Sequence, residues 1–397
     1  MSSKANASLP FIIVGGGIGG VSTALALSRK GIDTIVLEQA EDLREIGAGI
    51  QMPPNAFRAY ERLGVLEEIQ KVAAYPERLV LGDLISGKPV FEAPIGDEFV
   101  KRFGFRYALL HRGDILEILV RACRASPRVT IRTSAKMTGF KDVGDRVLVT
   151  TADGQEHEGR AMVAADGLWS ESRTALLGPE LPESDGYVVY RGVVPVAQIP
   201  EEHYSQSVTM WGGPEIDLFH YPLRRDEIYN IGASYRDRSL RVGAGYPKGS
   251  REVLSERFAV ACPHVRALVS FIDISRTWVL HHRPPIKEWS KGRVTLLGDS
   301  IHPMYIYISQ GACMALEDAV VLADMVAAHD DDAKAFQAYS EARYLRTARV
   351  QLTSRQFGEI YHAVGANRDL RNSILKTTPP QALYDTLGWL FGGQGYQ

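Results

Sequence analysis

The chain is poor in cysteine, and its cysteines lie far apart. Only Cys123, Cys262 and Cys313 occur among the 397 residues, and no two of them form a CxxC pair. This spacing gives no support to a zinc knuckle or a disulfide framework, so we predict no metal site. Free cysteines are typical of a reducing compartment, so we expect a cytoplasmic protein.

The chain also lacks an excess of charge of either sign. It has 45 Lys and Arg residues against 47 Asp and Glu, a formal net charge of −2 at pH 7, and no block of five like charges. A protein that binds nucleic acid through a broad basic surface carries clustered positive charge instead. We therefore predict that the chain does not bind nucleic acid.

One uncharged stretch, residues 5–28, is long enough to cross a bilayer. Five glycines lie between Gly15 and Gly20 in its middle, and each glycine in a helix interior costs about 1 kcal/mol relative to alanine. A short strand, a glycine turn and a helix explain the stretch better. We therefore predict neither a membrane span nor a targeting signal.

The same stretch begins a βαβ unit. Residues 11–14 are a continuous apolar run, which is typical of a buried parallel strand. Residues 21–30 predict a helix, and residues 34–37 predict a second buried strand that ends at Glu38. Because such crossovers are right-handed, the two strands are expected to lie in one parallel sheet.

The glycines of this unit form the pattern GxGxxG. Gly15 permits a tight turn, Gly17 lets backbone N–H groups approach a pyrophosphate, and Gly20 lets the helix pack on the strand. Glu38, eighteen residues beyond Gly20, can accept hydrogen bonds from ribose hydroxyls. The pattern predicts a dinucleotide site and does not by itself separate FAD from NAD.

The character of the sequence changes along the chain. Residues 187–280 show short β-like runs, which predict a mostly antiparallel sheet, and α/β character returns with a strand at 294–297. Helices are predicted at 55–73, 115–125, 312–328 and 333–355. We therefore expect a nucleotide-binding domain (1–76, 101–182 and 284–345), an inserted substrate domain (77–100 and 183–283) and a C-terminal helical segment (346–397).

Two further motifs follow predicted strands. Asp166 and Gly167 end the strand at 161–165, and Gly298 and Asp299 end the strand at 294–297. With GxGxxG, in this order and spacing, they resemble the three signatures of the class A flavoprotein aromatic hydroxylases. The resemblance extends from residue 11 to about residue 345.

The resemblance implies the fold of p-hydroxybenzoate hydroxylase: a Rossmann-like α/β FAD-binding domain with an inserted, mostly antiparallel β substrate domain and C-terminal helices. It also implies an FAD-dependent monooxygenase that consumes NADH or NADPH and O2 and hydroxylates a small phenolic or heteroaromatic acid through a flavin C4a-hydroperoxide. The segments 54–56, 187–192 and 220–224 look like 3-hydroxybenzoate 6-hydroxylase, salicylate hydroxylase and 6-hydroxynicotinate 3-monooxygenase.

Cofactor contacts follow from the resemblance residue by residue. Glu38 is expected at the adenosine ribose, Asp299 at the ribityl and pyrophosphate region, and Asp166 and Gly167 at FAD and NAD(P)H. The resemblance assigns the remaining flavin contacts to Arg44, Ala48, Arg112, Gly311 and Ala312. Gly311 and Ala312 begin a helix whose positive N-terminus would stabilise negative charge on the flavin.

Three of the four candidates for phenol activation lie on a predicted strand of the inserted sheet, and Tyr307 follows the Gly298-Asp299 motif instead. Tyr221 is the first choice for binding the phenol oxygen, and Asp217, His220 and Tyr307 are alternatives. Because side chains alternate on a strand, Asp217 and Tyr221 are expected on one face and His220 on the other. The chain departs from its relatives at Asp217, where the 3-hydroxybenzoate and 6-hydroxynicotinate enzymes have a histidine.

For Asp217 itself two placements stay open. In an apolar pocket it would serve as a base, and on an exposed strand it would pair with Arg224 or Arg225. Other functions also stay open, namely an NAD-dependent dehydrogenase, another flavin oxidoreductase, or a non-catalytic FAD- or NAD-binding sensor. We expect a monomer or a homodimer.

Overall fold

The computed structural model of the chain describes residues 9–44, 48–243 and 245–393. In this part the strands are β1 (Phe11–Val14), β2 (Thr34–Leu37), β3 (Gly49–Met52), β4 (Arg78–Asp83), β5 (Lys88–Pro94), β6 (Ala108–His111), β7 (Val129–Arg132), β8 (Met137–Asp142), β9 (Val147–Thr151), β10 (Glu156–Gly159), β11 (Ala161–Ala164), β12 (Tyr187–Pro195), β13 (Val208–Gly213), β14 (Ile216–Leu223), β15 (Ile228–Arg236), β16 (Thr277–Val279), β17 (Ser290–Lys291) and β18 (Val294–Leu296). The helices are α1 (Ile18–Arg29), α2 (Pro54–Leu63), α3 (Leu66–Val72), α4 (Asp97–Phe103), α5 (Arg112–Ala125), α6 (Glu171–Leu177), α7 (Arg251–Arg257), α8 (Pro263–Ser270), α9 (Gly311–Ala328), α10 (Asp332–Tyr361), α11 (Gly365–Thr377) and α12 (Gln381–Phe391).

The predicted βαβ unit lies at the centre of a mostly parallel sheet. Its strands run in the order β17-β18-β11-β1-β2-β7, with β17 antiparallel to β18 and the other described pairs parallel. β1 and β11 are buried along their whole length, as expected for the interior of a parallel sheet. α1 packs beside α5 and α9. Because the strands are parallel, the turns that follow β1, β2, β11 and β18 meet at one edge of the sheet.

A second, mostly antiparallel sheet has the strand order β16-β12-β15-β14-β13-β4-β5. Two segments of sequence build it, since β4 and β5 come from residues 78–94 and the other strands from residues 187–279. On one face of the sheet Trp211, Tyr229 and Phe258 join a separate buried core. The other face looks toward the glycine turns that follow β1, β11 and β18. The predicted α/β fold with an inserted antiparallel sheet is confirmed.

The remaining strands form smaller units. β8, β9 and β10 make an antiparallel meander, and β3 pairs antiparallel with β6. The helix predicted over 55–73 is broken in two, because Gly64 adopts φ = 68° and ends α2 in a left-handed turn.

From Gly311 to Phe391 the chain is helical, and its helices are more continuous than predicted. α10 runs unbroken from Asp332 to Tyr361, so the expected boundary after residue 345 falls inside a helix. In the part of the chain that the structure describes, no helix combines the length and the apolar character needed to cross a membrane.

A buried network of charges joins α9 and α10. Glu317 and Asp318 are fully buried, and Arg343, also fully buried, lies 2.7 Å from a carboxylate oxygen of each. Arg346 approaches Glu317 at 2.6 Å, and His302 Nε2 lies 2.5 Å from Asp318 Oδ2. Burial alone would raise the pKa of both carboxyls, but the neighbouring cations outweigh it and hold both pKa values below their usual range.

Replacing Arg343 by methionine leaves Glu317 and Asp318 buried without their central cation. We expect Arg343→Met to lower the free energy of unfolding by about 3–5 kcal/mol, measured by urea denaturation. The matched control is Arg121→Met on the exposed face of α5, where the arginine pairs with Glu68 at the surface, and a change within about 0.5 kcal/mol is expected. Equal stability of Arg343→Met and wild type would contradict the role given to this network.

Candidate active site

The glycine turn between β1 and α1 has the geometry of a phosphate-binding turn. Gly15 adopts φ = 104°, and a Cβ atom there would lie 2.3 Å from the Ala165 carbonyl oxygen. A Cβ atom at Gly20 would lie 1.9 Å from the Gly15 carbonyl oxygen. Gly17 is the N-cap of α1 and would have no atom within 4 Å of an added Cβ. The first turn of α1 carries no acidic residue, so its N–H groups and helix dipole are open to an anion.

Glu38 stands at the end of β2 beside this turn. Its Oε2 accepts a hydrogen bond from the Gly16 N–H at 2.6 Å, and its Oε1 accepts one from the Ala40 N–H at 2.7 Å. The carboxylate therefore fixes the backbone of the glycine turn. Each carboxylate oxygen has a second lone pair, which leaves capacity for a ribose hydroxyl.

Asp166 and Gly167 follow β11 and have different surroundings. The Asp166 carboxylate accepts hydrogen bonds from Ser170 Oγ at 2.6 Å and from the Ser172 N–H at 3.0 Å. It thereby holds the turn that leads into α6. Gly167 adopts φ = 77° and lines the central cavity, so the backbone of this motif, rather than the aspartate, faces the site.

Asp299 follows β18 and faces the beginning of α9. Its Oδ1 lies 3.9 Å from the position of a Cβ atom on Gly311, and Asp299, Gly311 and Ala312 all line the cavity. Burial raises the pKa of the Asp299 carboxyl, while the positive charges of His302 and Arg112 act against this rise. The carboxylate is therefore open to the cavity but surrounded by protein, a setting in which a hydroxyl donor stabilises it.

The N-terminus of α9 is also open. Gln310 is its N-cap, with no side-chain cap and no acidic residue in the first turn. The Gln310 Oε1 accepts a hydrogen bond from Asn55 Nδ2 at 2.9 Å. The Gln310 Nε2 is buried and has no hydrogen-bond partner in the described residues. This helix end thus presents free N–H donors to the cavity, as the sequence predicted for Gly311 and Ala312.

Two predicted arginines differ in their location. Arg112 begins α5 and lines the cavity, and its N–H donates to the Ala48 carbonyl at 3.1 Å. Arg44 is a surface residue whose side chain is 84% exposed and lies 3.4 Å from Asp42. Residues 45–47, between Arg44 and Ala48, lie outside the described residues. The structure brings Arg112 and Ala48 together and does not bring Arg44 to the site.

A cavity of about 670 Å³ joins the glycine turns to the second sheet. One wall is the sheet edge at which the sequence predicts the flavin; it contains Gly17, Gly298 and Gly311, and we call it the flavin-type wall. The opposite wall is aromatic and comes from β14 and the segment before α9. The C-terminal helices close the cavity with Leu375, Leu383, Leu387, Leu390 and Phe391.

Tyr221 lies on the cavity face of β14 and is 2% exposed. Its ring packs on Gly49, where an added Cβ would lie 2.6 Å from Tyr221 Cε2. The Gly49 N–H donates to Asn230 Oδ1 at 2.8 Å, which fixes β3 against the second sheet. Burial raises the pKa of Tyr221, and the positive charge of Arg191 opposes that rise. Tyr221 thus lies on the cavity side of its strand, beside the segment that borders the flavin-type wall.

Asp217 shares the Tyr221 face of β14 but does not line the cavity. It is 1% exposed, accepts a short hydrogen bond from Ser234 Oγ, and lies 2.6 Å from His362 Nε2. Arg224, the partner expected for an exposed Asp217, pairs with Asp114 at 2.7 Å instead. Neither expected placement matches, because a histidine 145 residues away covers the carboxylate.

His362 follows the end of α10 and connects Asp217 to the aromatic wall. Its ring stacks on Tyr187 with a centroid distance of 4.2 Å and contacts the ring of Tyr307 at 5.3 Å. Asp217 and His362 therefore support the wall from behind. This position gives no support to Asp217 as a base in contact with a ligand.

His220 points to the opposite face of the sheet, as the alternation predicted. Its Nε2 accepts a hydrogen bond from Trp211 Nε1 at 3.0 Å, and its Nδ1 lies 2.6 Å from the Tyr229 hydroxyl. Burial, together with nearby His264 and His203, lowers its pKa to about 3. His220 is thus a neutral core residue, and the structure does not bring it to the cavity.

Tyr307 lines the cavity on the side of α10. An added Cβ at Gly358 would lie 2.5 Å from Tyr307 Cε2, so only glycine leaves room for the ring. The Tyr307 hydroxyl is buried without a hydrogen-bond partner in the described residues. Burial raises its pKa and the charge of Asp217 adds to the rise, so Tyr307 stays protonated.

Sequence reasoning missed several polar residues of the site. Tyr107 donates to Gln51 Oε1 at 2.5 Å, and both line the cavity. Arg191 of β12 lines the cavity as well. In the sequence, Arg191 stood out only as one residue of the segment 187–192, which looks like its relatives. A signal was present in the sequence, since Arg191 interrupts the apolar run 187–194.

Comparisons with known proteins agree with this geometry. The family described as FAD binding domain matches residues 8–353. The 3-hydroxybenzoate 6-hydroxylase of Polaromonas naphthalenivorans (strain CJ2) is 40% identical over 387 residues, which cover 97% of this chain and 96% of that protein. The 6-hydroxynicotinate 3-monooxygenase of Bordetella bronchiseptica is 32% identical over 349 residues, 86% of this chain and 89% of that protein. The crystal structure of Klebsiella pneumoniae HpxO complexed with FAD and uric acid is similar with a TM-score of 0.84 at 26% identity, covering 97% of both chains.

The residues present fit FAD. The open space above Gly17 and the free end of α1 suit a pyrophosphate. The Asp299 carboxylate suits a ribityl hydroxyl, and the unpartnered Gln310 Nε2 with the free end of α9 suits carbonyl and ring nitrogen acceptors.

Removing the Asp299 carboxylate tests this assignment. We expect Asp299→Ala to fold but to lower FAD affinity by about 10–100-fold, because a hydrogen bond to a charged group is lost. The flavin-to-protein absorbance ratio after purification measures this. Arg44→Ala is the matched control, since Arg44 is exposed, and it should keep full flavin. Full occupancy in Asp299→Ala would contradict the placement of FAD.

The buried His220 predicts a loss of stability in acid. Its pKa is about 3 in the folded protein and about 6.5 in the unfolded chain. Its contribution is therefore complete above pH ~6.5 and is lost progressively as the pH falls toward 3, because only the unfolded state binds the proton. Between pH 7 and pH 5 it should cost about 2 kcal/mol of unfolding free energy. In His220→Gln, measured by denaturation at both pH values, this difference should shrink by about that amount; an unchanged difference would show that His220 is not the group responsible.

Proposed function

Since the chain belongs to the FAD binding domain family and is an FAD-dependent aromatic ring hydroxylase, we propose that its substrate is a small benzoate with a phenolic hydroxyl group. The predicted resemblance, fold class and flavin cofactor are confirmed. The alternative of a non-catalytic sensor is not supported, because the relatives are enzymes.

One observation carries the proposal. The cavity that contains Gly17, Asp299 and Gly311 continues without a break to Tyr221 and Tyr307 on the aromatic wall. A flavin held by the first group of residues and an aromatic ring held by the second would share one continuous cavity. Ring hydroxylation requires this proximity, since oxygen is transferred directly between the two.

The names of the relatives narrow the substrate class. One relative acts on 3-hydroxybenzoate and the other on 6-hydroxynicotinate. Both compounds combine an aromatic ring, a ring hydroxyl and a carboxylate. We propose 3-hydroxybenzoate as the first compound to test, with the new hydroxyl placed ortho or para to the existing one, since those positions are the electron-rich ones.

The reaction balance sets what the protein must supply. A ring C–H, O2, NAD(P)H and a proton give a ring C–OH, NAD(P)+ and water, so the nicotinamide is oxidised and O2 is reduced. Bound FAD, which Gly17, Asp299 and the N-terminus of α9 would hold, would supply the hydride acceptor and the group that activates O2. The chain's own residues bind the ring, orient it and hold its phenolic proton.

Tyr221 is the residue we propose for the phenol oxygen. Its environment combines burial with a neighbouring cation, Arg191, which favours negative charge at this end of the cavity. Partial loss of the phenolic proton of the substrate would make its ring a better nucleophile. Tyr307 lies among carboxylates instead, so it acts as a donor and not as an acceptor of that proton.

The apolar side chains that cover the cavity would also keep water from the reacting atoms. Leu383, Leu387 and Phe391 of α12 provide this cover. Without it, activated oxygen would be lost as H2O2.

Several finer points belong to the proposal. NADH or NADPH serves as reductant, the protein acts in the cytoplasm as a monomer or homodimer, and the domain boundaries given above stay predictions. Asp217 and His220 serve the fold around the site, whereas Tyr221 and Tyr307 contact the substrate.

The test combines a substrate panel with one variant. Wild-type protein should couple NAD(P)H oxidation to a dihydroxylated product with 3-hydroxybenzoate but not with benzoate, which lacks the activating hydroxyl. Tyr221→Phe should keep FAD and NAD(P)H oxidation but lose about 10²-fold in hydroxylated product, with H2O2 formed in its place. Product is measured by chromatography and H2O2 by a peroxidase assay.

The control for this variant is Tyr75→Phe, a half-buried tyrosine outside the cavity lining, which should stay coupled. Unchanged coupling in Tyr221→Phe would remove Tyr221 from the role given to it. Absence of product from every hydroxylated aromatic acid in the wild type would refute the proposed substrate class.

A further inference from the structure

Arg191 lies on β12, the second strand from one edge of the sheet that faces the cavity. It is opposite Gly232 of β15, and Gly232 in turn lies opposite Phe219 of β14. Its guanidinium stands over the Phe219 ring at 6.0 Å from the centroid. Arg191, Phe219 and Tyr221 line the cavity together. The cation is therefore within the aromatic wall and not at the protein surface.

The guanidinium has no counter-ion among the described residues. No carboxylate of that part of the chain forms an ion pair with it, and its buried Nε has no hydrogen-bond partner there. Two buried arginines differ from Arg191 in this respect. Arg343 is paired with Glu317 and Asp318, and Arg173 with Glu180. The Asp217 carboxylate lies on the same face of the sheet, but it already interacts with Ser234 and His362.

A cation in this setting is costly unless an anion joins it. Burial lowers the pKa of the Arg191 guanidinium, and Tyr221 is the main group acting against this. Removing one member of a buried ion pair is strongly destabilising, because the interior tolerates a charge without a partner poorly. An anion brought by a ligand would supply the missing partner.

We propose that Arg191 is a specificity-determining residue that binds the carboxylate of the aromatic substrate. The inference rests on the proposed function and adds the group that selects acids over neutral phenols. Arginine suits the task, because its planar fork matches a carboxylate with two parallel hydrogen bonds. Tyr221 and Arg191 then bind the two polar groups of the substrate, with its ring against Phe219.

The experiment compares two ligands that differ only in charge. The dissociation constants of 3-hydroxybenzoate and 3-hydroxybenzamide are measured by calorimetry on the FAD-loaded protein without NAD(P)H. The wild type should bind the acid much more tightly than the amide. Arg191→Met, which keeps the bulk of the side chain, should weaken acid binding by about 10²-fold and change amide binding by less than about threefold.

Two further variants show whether a change in acid binding is specific to the Arg191 guanidinium. Arg191→Lys keeps the charge but loses the fork, so it should recover part of the preference for the acid; it also preserves the test if Arg191→Met fails to fold. Arg78→Met removes an arginine of the same sheet that pairs with Glu92 at the surface, and it should leave the ratio of the two constants unchanged.

The outcomes separate this inference from the proposed function. An equal loss for acid and amide in Arg191→Met would overturn the carboxylate contact, and so would an unchanged ratio. A fall in flavin content would assign Arg191 to the cofactor and overturn it as well. If the wild type binds and hydroxylates none of the hydroxylated benzoates, the proposed function itself fails.

Discussion

The structure depends on a pair of adjacent buried carboxylates, Glu317 and Asp318, at the second turn of α9. Neither can stay ionised in the interior without a cation, and Arg343 serves both. Because the two acids belong to α9 and the arginine to α10, this requirement fixes how the two helices pack. The Gly298 N–H also donates to Asp318 Oδ2 at 3.2 Å. The same charges thus hold the turn that carries Asp299, and the open end of α9 stays aimed at the cavity.

A second constraint joins the two sheets. Gly49 lies between Tyr221 and Asn230 so tightly that a Cβ atom would fall 2.6 Å from one and 2.9 Å from the other. The strand β3 therefore contacts the second sheet through bare backbone, with the Gly49 N–H bound to Asn230. This contact places the aromatic wall at a fixed distance from the flavin-type wall. Oxygen transfer between two bound rings needs such a fixed spacing more than it needs any single side chain.

What could be predicted from the sequence was local. The spacing of Gly15, Gly17 and Gly20 and the alternation of Tyr221 and His220 along β14 are properties of a few consecutive residues, and both were correct. Asp217 was misplaced because its partner, His362, is 145 residues away and arrives only with the end of α10. Arg191 was missed for a related reason. A sequence shows that an arginine is present, but only the packed structure shows that no carboxylate of the described residues forms an ion pair with it.

The carbonyl groups that end α12 are bound by arginines from distant helices. Arg346 donates to the Trp389 and Leu390 carbonyls at 3.1 and 3.0 Å, and Arg58 donates to the Phe391 carbonyl. These last described residues of the chain also line the cavity. The cover of the cavity is thus held from behind by side chains of two other helices, and it cannot move away from the glycine turns without breaking these hydrogen bonds. A deletion confined to α12 would leave the glycine turns in place, but a reduced flavin bound there would be open to water and oxygen and would yield peroxide instead of product.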